Sequence, residues 1–287
     1  MGELTLLDNV AEGIREDKKF WNTRVIFKNP YTGKVLYTAR NKLILPGSGL
    51  IAHKIFDIGT ADDQEEAEIT PSYDDKIPNI VTFTAASNAG SYTGYNTRAK
   101  ANDKKILVFC VGTDGCGAEA SQVYSVNYKK WCDYTKLVPF KYVTPGDEDA
   151  AVDRKMYYGK ASMNDRYAYY FKRFDNYNTS NYGVTFKQVY ENGTNITSSV
   201  YDSTSPEEIY TYVELHMSIT EEDCVDYIRL TNGSNKVNTI QLCTCYPVMG
   251  IDNNLYMNDI RPITKLNFSN ELLSNNKAID ITYQIYF

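Results

Sequence analysis

The stretch Ile279-Asp-Ile-Thr-Tyr-Gln-Ile-Tyr-Phe287 places Ile279, Ile281, Tyr283, Ile285 and Phe287 on one side of an extended chain. Asp280, Thr282, Gln284 and Tyr286 fall on the other. A period of two is the signature of a strand with one covered face, because successive side chains leave a pleated backbone in opposite directions. Working back from this segment, the same reading predicts strands at 123–128, 137–143, 156–158, 167–174, 184–190, 196–201, 209–219, 225–230 and 237–248. Glu191-Asn192-Gly193-Thr194 and Thr231-Asn232-Gly233-Ser234 supply Asn-Gly turns, which tolerate the positive φ a tight hairpin demands. Helix signals are nearly absent from residue 121 onward.

Towards the N-terminus, Arg24-Val-Ile-Phe27 and Lys34-Val-Leu-Tyr37 flank Asn29-Pro30-Tyr31-Thr32-Gly33, which predicts a hairpin. Ser48 can cap a short amphipathic helix over about 49–58, where Ile51, Ile55 and Ile58 recur at helical spacing. Lys105-Ile-Leu-Val-Phe-Cys-Val111 is apolar without alternation, the pattern of a strand buried on both faces. Residues 1–19 read as an N-terminal arm. Residues 20–287 read as a single β-rich domain with long surface loops at 59–79 and 85–104. The fold class expected is mainly β, an antiparallel β-sandwich or barrel with the one short helix at its side.

Composition narrows the function. The chain has 287 residues, 43% hydrophobic, with 25 tyrosines against 11 Phe and 2 Trp, a bias towards strands and part-wet contact surfaces. A net charge of -6 offers no basic field for a phosphate backbone, so primary nucleic-acid binding is not expected. The start Met1-Gly2-Glu3-Leu4-Thr5-Leu6 lacks the basic, then apolar, character of a signal peptide. No apolar stretch reaches the roughly 18 to 20 residues that cross a bilayer. A cytoplasmic site of synthesis and no membrane partner are expected.

Motifs that could carry chemistry each have a plainer structural reading. Gly47-Ser48-Gly49 lacks the remaining glycine or Gly-Lys-Ser/Thr of a phosphate-binding loop and reads as a helix start. Gly112-Thr-Asp-Gly-Cys-Gly117 follows a buried strand with no histidine near, and reads as a tight turn rather than a nucleophile loop. Asp147-Glu148-Asp149 with Asp153 does not match calcium-loop spacing. Cysteines 110, 116, 132, 224, 243 and 245 show no Cys-x-x-Cys pattern, and His53 and His216 lie apart from them, so buried free thiols are expected. No catalytic, cofactor-binding or metal-ligating residue is nominated. The candidate interface residues are Tyr167, Tyr169, Tyr170 and Phe171, an aromatic cluster flanked by Arg166, Lys172 and Arg173, and the acidic Asp62, Asp63, Glu65 and Glu66 of the first long loop.

Several separated blocks resemble virion structural proteins of tailed bacteriophages. They are Asn41-Lys-Leu-Ile-Leu-Pro-Gly47 with the helix after it, Phe109-Cys-Val-Gly-Thr-Asp-Gly115, Val123-Tyr-Ser-Val-Asn-Tyr128, Leu137-Val-Pro-Phe-Lys-Tyr-Val143 and Ile281-Thr-Tyr-Gln-Ile-Tyr-Phe287. The Tyr/Asn-rich style is similar to phages of gut Bacteroidetes, including the crAss-like group. The resemblance implies a non-enzymatic neck, tail-ring or baseplate-like component, assembled in the bacterial cytoplasm and resident in the virion. It implies copies of itself in a homo-oligomeric ring, and other neck, tail or capsid proteins, as partners. A capsid-associated or host-glycan-binding β-sandwich module, using the Tyr167 to Phe171 surface, is the alternative.

Overall fold

The computed structural model describes residues 23–44, 105–117, 122–126, 137–146, 156–163, 165–174, 184–190, 209–223, 237–249, 255–269, 272 and 278–286. The arm at 1–19, the helix at 49–58 and the loops at 59–79 and 85–104 lie outside the described residues, as do the strands expected at 196–201 and 225–230.

Thirteen strands make up the described chain. A five-stranded sheet contains β1 (Thr23–Lys28), β2 (Val35–Asn41), β8 (Val184–Tyr190), β9 (Ile209–Ile219) and β13 (Ile279–Tyr286), in the order β2-β1-β13-β9-β8. An eight-stranded sheet runs β11 (Leu255–Pro262), β10 (Thr239–Met249), β3 (Lys105–Gly112), β7 (Arg166–Arg173), β5 (Lys141–Val143). To it are added β12 (Leu266–Asn267) on β10, β4 (Leu137–Val138) on β3 and β6 (Tyr157–Met163) on β7. Every pairing is antiparallel. The fold is mainly β and sandwich-like, with two open sheets rather than a closed barrel.

The sheets are joined by one core. From the smaller sheet, Val25, Phe27, Leu215, Met217, Ile281, Tyr283 and Ile285 point inward. They pack with Phe109, Val111, Phe140, Ile240, Leu242 and Phe268 from the larger sheet and its loops. The alternation read in the last segment is realised as β13, where Ile279, Ile281, Tyr283 and Ile285 are buried and Asp280 is exposed. Its inner position in the sheet, between β1 and β9, follows from having both edges paired.

The larger sheet is covered on its second face too. Val108 and Cys110 of β3 and Cys243 and Cys245 of β10 turn away from the shared core and join Tyr158, Phe171, Met257 and Ile260 in another cluster. That is why β3 reads as an unbroken apolar run, as expected of a strand buried on both faces. The four described cysteines are buried free thiols, with Cys110 Sγ and Cys243 Sγ 3.9 Å apart.

The first hairpin forms as its turn chemistry predicts. The Asn29 side-chain oxygen accepts from the Tyr31 and Thr32 amides at 2.9 and 3.0 Å, and the Gly33 amide donates to the Asn29 carbonyl at 2.8 Å.

Three expectations need correction. Within 123–128, residues 123–126 form no strand: Val123 makes a single bridge to Cys116, and Val123 and Tyr124 are exposed. The strand expected over 137–143 is split into β4 and β5, with Pro139, which has no amide to give a ladder, at the break. β11 and β12 went unanticipated because Leu255-Tyr-Met-Asn-Asp-Ile-Arg-Pro262 is too polar to read as a strand by pattern.

Candidate assembly surface and buried polar centre

β7 carries the aromatic cluster nominated from sequence. It lies inside the larger sheet, paired with β6 along one side and with β3 and then β5 along the other. Tyr170 and Phe171 pack into the second core, and Tyr169 packs with Val143, Tyr157 and Tyr167. Exposures of 4%, 6% and 1% for Tyr169, Tyr170 and Phe171 commit these rings to the chain's own interior. Tyr167 is half-buried, and Arg166 beside it is exposed, with its guanidinium 3.9 Å from the centre of the Tyr142 ring. What this cluster offers a neighbour is therefore Arg166, Tyr167 and Tyr142 rather than four aromatics. Asp62, Asp63, Glu65 and Glu66 lie outside the described residues.

A tight packing contact fixes β7 against β6. Gly159 has φ of +69°, and a Cβ there would stand 2.3 Å from the Phe171 ring. Only glycine meets both conditions without displacing the ring.

Besides Val123 and Tyr124, the exposed large apolar side chains among the described residues belong to the first hairpin. Tyr31, Val35 and Tyr37, on the β1–β2 hairpin, are 68%, 50% and 39% exposed. β2 is an edge strand, and no described strand pairs with its outer side. Such an edge presents backbone donors and acceptors that another chain's strand can take up. The hairpin is held firmly: the Tyr37 ring packs on Phe27 at 5.8 Å, and the Tyr31 hydroxyl donates to Glu221 at 2.6 Å. Partial burial raises the Tyr37 phenol above its ordinary value of 10.0. The other end of the same sheet is β8, likewise an edge among the described strands.

The second feature is a buried charged centre that joins the sheets. Lys172 of β7 is paired with Phe109 of β3, so its side chain enters the space between the sheets. There its ammonium donates to Asp223 Oδ2 at 2.6 Å and to the Ser218 carbonyl at 3.0 Å. Asp223 lies in the turn after β9 of the smaller sheet, and its carboxylate is saturated. Oδ1 accepts from the Tyr157 hydroxyl at 2.7 Å, and Oδ2 also accepts from the Thr220 amide at 2.9 Å and the Thr220 hydroxyl at 3.1 Å. The two charged side chains are 1% and 0% exposed. Sequence reasoning noticed Lys172 only as a flank of the aromatic cluster. A lysine inside the run Tyr169 to Phe174 was the available signal, but nothing distinguished Asp223 from Glu221 and Glu222 beside it.

The glycine loop is a structural turn. The Gly115 amide donates to the buried Asn238 side chain at 2.7 Å, and a Cβ on Gly115 would stand 2.3 Å from the Asn238 carbonyl oxygen. Asn267 accepts from the Thr239 hydroxyl at 2.8 Å and donates to the Tyr124 carbonyl at 2.9 Å. Asp114 is 2.5 Å from the Lys265 ammonium, so the loop's only carboxylate is paired. His216 pairs with Glu214 at 2.8 Å on the outer side of β9.

Among the described residues no three His, Cys, Asp or Glu side chains gather as metal ligands, and no helix is long and apolar enough to cross a membrane. Comparison with protein families, curated proteins and solved structures gives no match to this chain. The class that fold and geometry define is a two-sheet antiparallel β protein with an apolar edge strand unpaired among the described residues and a charged pair locked between its layers.

Proposed function

We propose that this chain is a non-enzymatic virion structural protein of a tailed bacteriophage, a ring-forming connector or tail component. It acts by assembling with copies of itself and with neighbouring neck, tail or capsid proteins. The observation that carries the reading is the five-stranded sheet whose end strands have no outer partner among the described residues, β2 bearing exposed Val35 and Tyr37 and β8 opposite. A β2 edge meeting the β8 edge of the next copy is a head-to-tail contact, which repeats around a ring when the rotation per subunit closes. Among the described residues, the buried charged pair Lys172–Asp223 is occupied with its own partners between the sheets, an arrangement that favours a holding role over turnover. The virion setting rests on the sequence resemblance, whose blocks at 109–115, 137–143 and 281–287 fall on the second half of β3, on β4 and β5, and on most of β13.

Native mass spectrometry and electron microscopy of the full chain test the proposal, with closed oligomers as the expected result. Val35→Lys puts a charge on the open edge, which opposes strand addition while leaving the core alone. It should shift the oligomers to folded monomer. A monomer at all concentrations, both purified and within particles, would overturn the reading.

A further inference from the structure

We propose that Lys172 and Asp223 condense into an intramolecular isopeptide bond that ties the two sheets together covalently. The inference is independent of the virion reading, since it rests only on the geometry between the layers. Nζ stands 2.6 Å from Oδ2, and a C–O bond of about 1.2 Å beyond it puts Cγ no more than about 3.8 Å from Nζ, close to the roughly 3–3.5 Å of a near-attack arrangement. Both side chains are shut away from solvent.

The groups around the carboxylate suit acyl transfer. The Thr220 amide and hydroxyl converge on Oδ2 and hold the negative charge that develops there when nitrogen adds to Cγ. The Tyr157 hydroxyl, on Oδ1, donates a proton to the oxygen that leaves. The Ser218 carbonyl accepts an N–H of Lys172 and orients the nitrogen.

The atoms balance without any co-reactant. One proton passes from the ammonium to the carboxylate, and the neutral amine adds to Cγ. The C–Oδ1 bond breaks, and Oδ1 departs with two of the three ammonium protons as water. Tyr157 relays one of them and regains its own. The remaining N–H keeps its bond to Ser218, and Oδ2, now the amide oxygen, keeps both bonds from Thr220. A neutral amide replaces two charges in a site that disfavours charge, which drives the condensation forward.

Mass spectrometry of the denatured full-length protein, after folding and ageing, tests this. The expected result is a mass lower than the sequence by one water, with a branched proteolytic peptide joining the segments that carry residues 172 and 223. Asp223→Ala and Lys172→Arg should retain the full mass, and Tyr157→Phe should slow the loss. The branched peptide in the unsubstituted protein decides the matter even where a variant fails to fold. A full mass in the aged, folded protein overturns the proposal. So does a water loss without the branched peptide, as dehydration at Asp114-Gly115 would give. An unchanged rate in Tyr157→Phe overturns the proton-donor role assigned to that hydroxyl.

Discussion

The two sheets solve the same burial problem differently. In β13 of the smaller sheet, buried side chains alternate with outward ones up to Tyr283: Ile281 and Tyr283 are buried, Thr282 between them is part-exposed, and only Gln284 of the outer set is covered, by Glu214 and Tyr286. In β3 of the larger sheet, six successive residues from Leu107 to Gly112 are buried, because a second cluster covers the face turned away from the sandwich. A sheet with one wet face writes its register into the sequence as alternation, whereas a sheet covered on both faces writes only an apolar run. The difference also bears on the proposed assembly surface: the smaller sheet ends in β2, which has no outer partner among the described strands, while in the larger sheet β7 uses its aromatic rings for internal packing.

The sharpest way to break this comparison is to insert charge at successive positions. Phe109→Asp and Cys110→Asp in β3 should each prevent folding, since either direction buries an unpaired carboxylate at a cost of several kcal/mol. In β13 only Ile281→Asp should do so, and Thr282→Asp should remain folded; soluble yield and thermal melting distinguish the cases. A tolerated Cys110→Asp would show that the second face is not a true core.

The link between the sheets comes next in size. Measured on freshly folded protein before any condensation, Lys172→Ala leaves the Asp223 carboxylate buried without its cation, and should cost about 3–5 kcal/mol in urea unfolding. Replacing both partners with apolar residues should restore much of that loss. Smaller again is Asn238→Ala, which strands the Gly115 amide in a buried site; a loss of about 1–3 kcal/mol is expected from the same measurement.

The smallest effect concerns Tyr212 and Tyr286, which pair across β9 and β13 with ring centroids 5.2 Å apart. Burial is the main cause raising both phenols above 10.0. The Glu214 charge adds to the rise, and Arg24 opposes it. The folded chain therefore holds these protons more tightly than the unfolded chain. Their contribution is complete below the unfolded value of 10.0 and is lost as pH rises through the higher folded values. Melting temperature should be insensitive to these groups up to that point and fall beyond it. The Tyr212→Phe and Tyr286→Phe pair should soften the fall.

The legible parts of the molecule were those set by local chemistry. The Asn29 side chain and Gly33 make the first turn whatever the surroundings, and alternation in β13 identifies its covered face. Less legible was β11, whose Asn258, Asp259 and Arg261 hide a strand that ten-residue patterns do not reveal but the pairing with β10 stabilises. The aromatic cluster at 167–171 was visible as a strand, yet its availability to a partner depended on what lay beside it, and β3, β5 and β6 lie there.

By itself the sequence determined the β class, the first hairpin, the doubly buried β3 and the burial of the described cysteines, because each follows from side-chain period, turn residues or composition within one segment. Tertiary structure alone decided which strand became an edge and which lysine met which carboxylate. Edges and ion pairs are relations between segments far apart in the chain, and one segment's pattern carries no record of its neighbour. In β13 the two levels meet: alternation chose the inward face, and pairing with β1 and β9 chose where that face would lie.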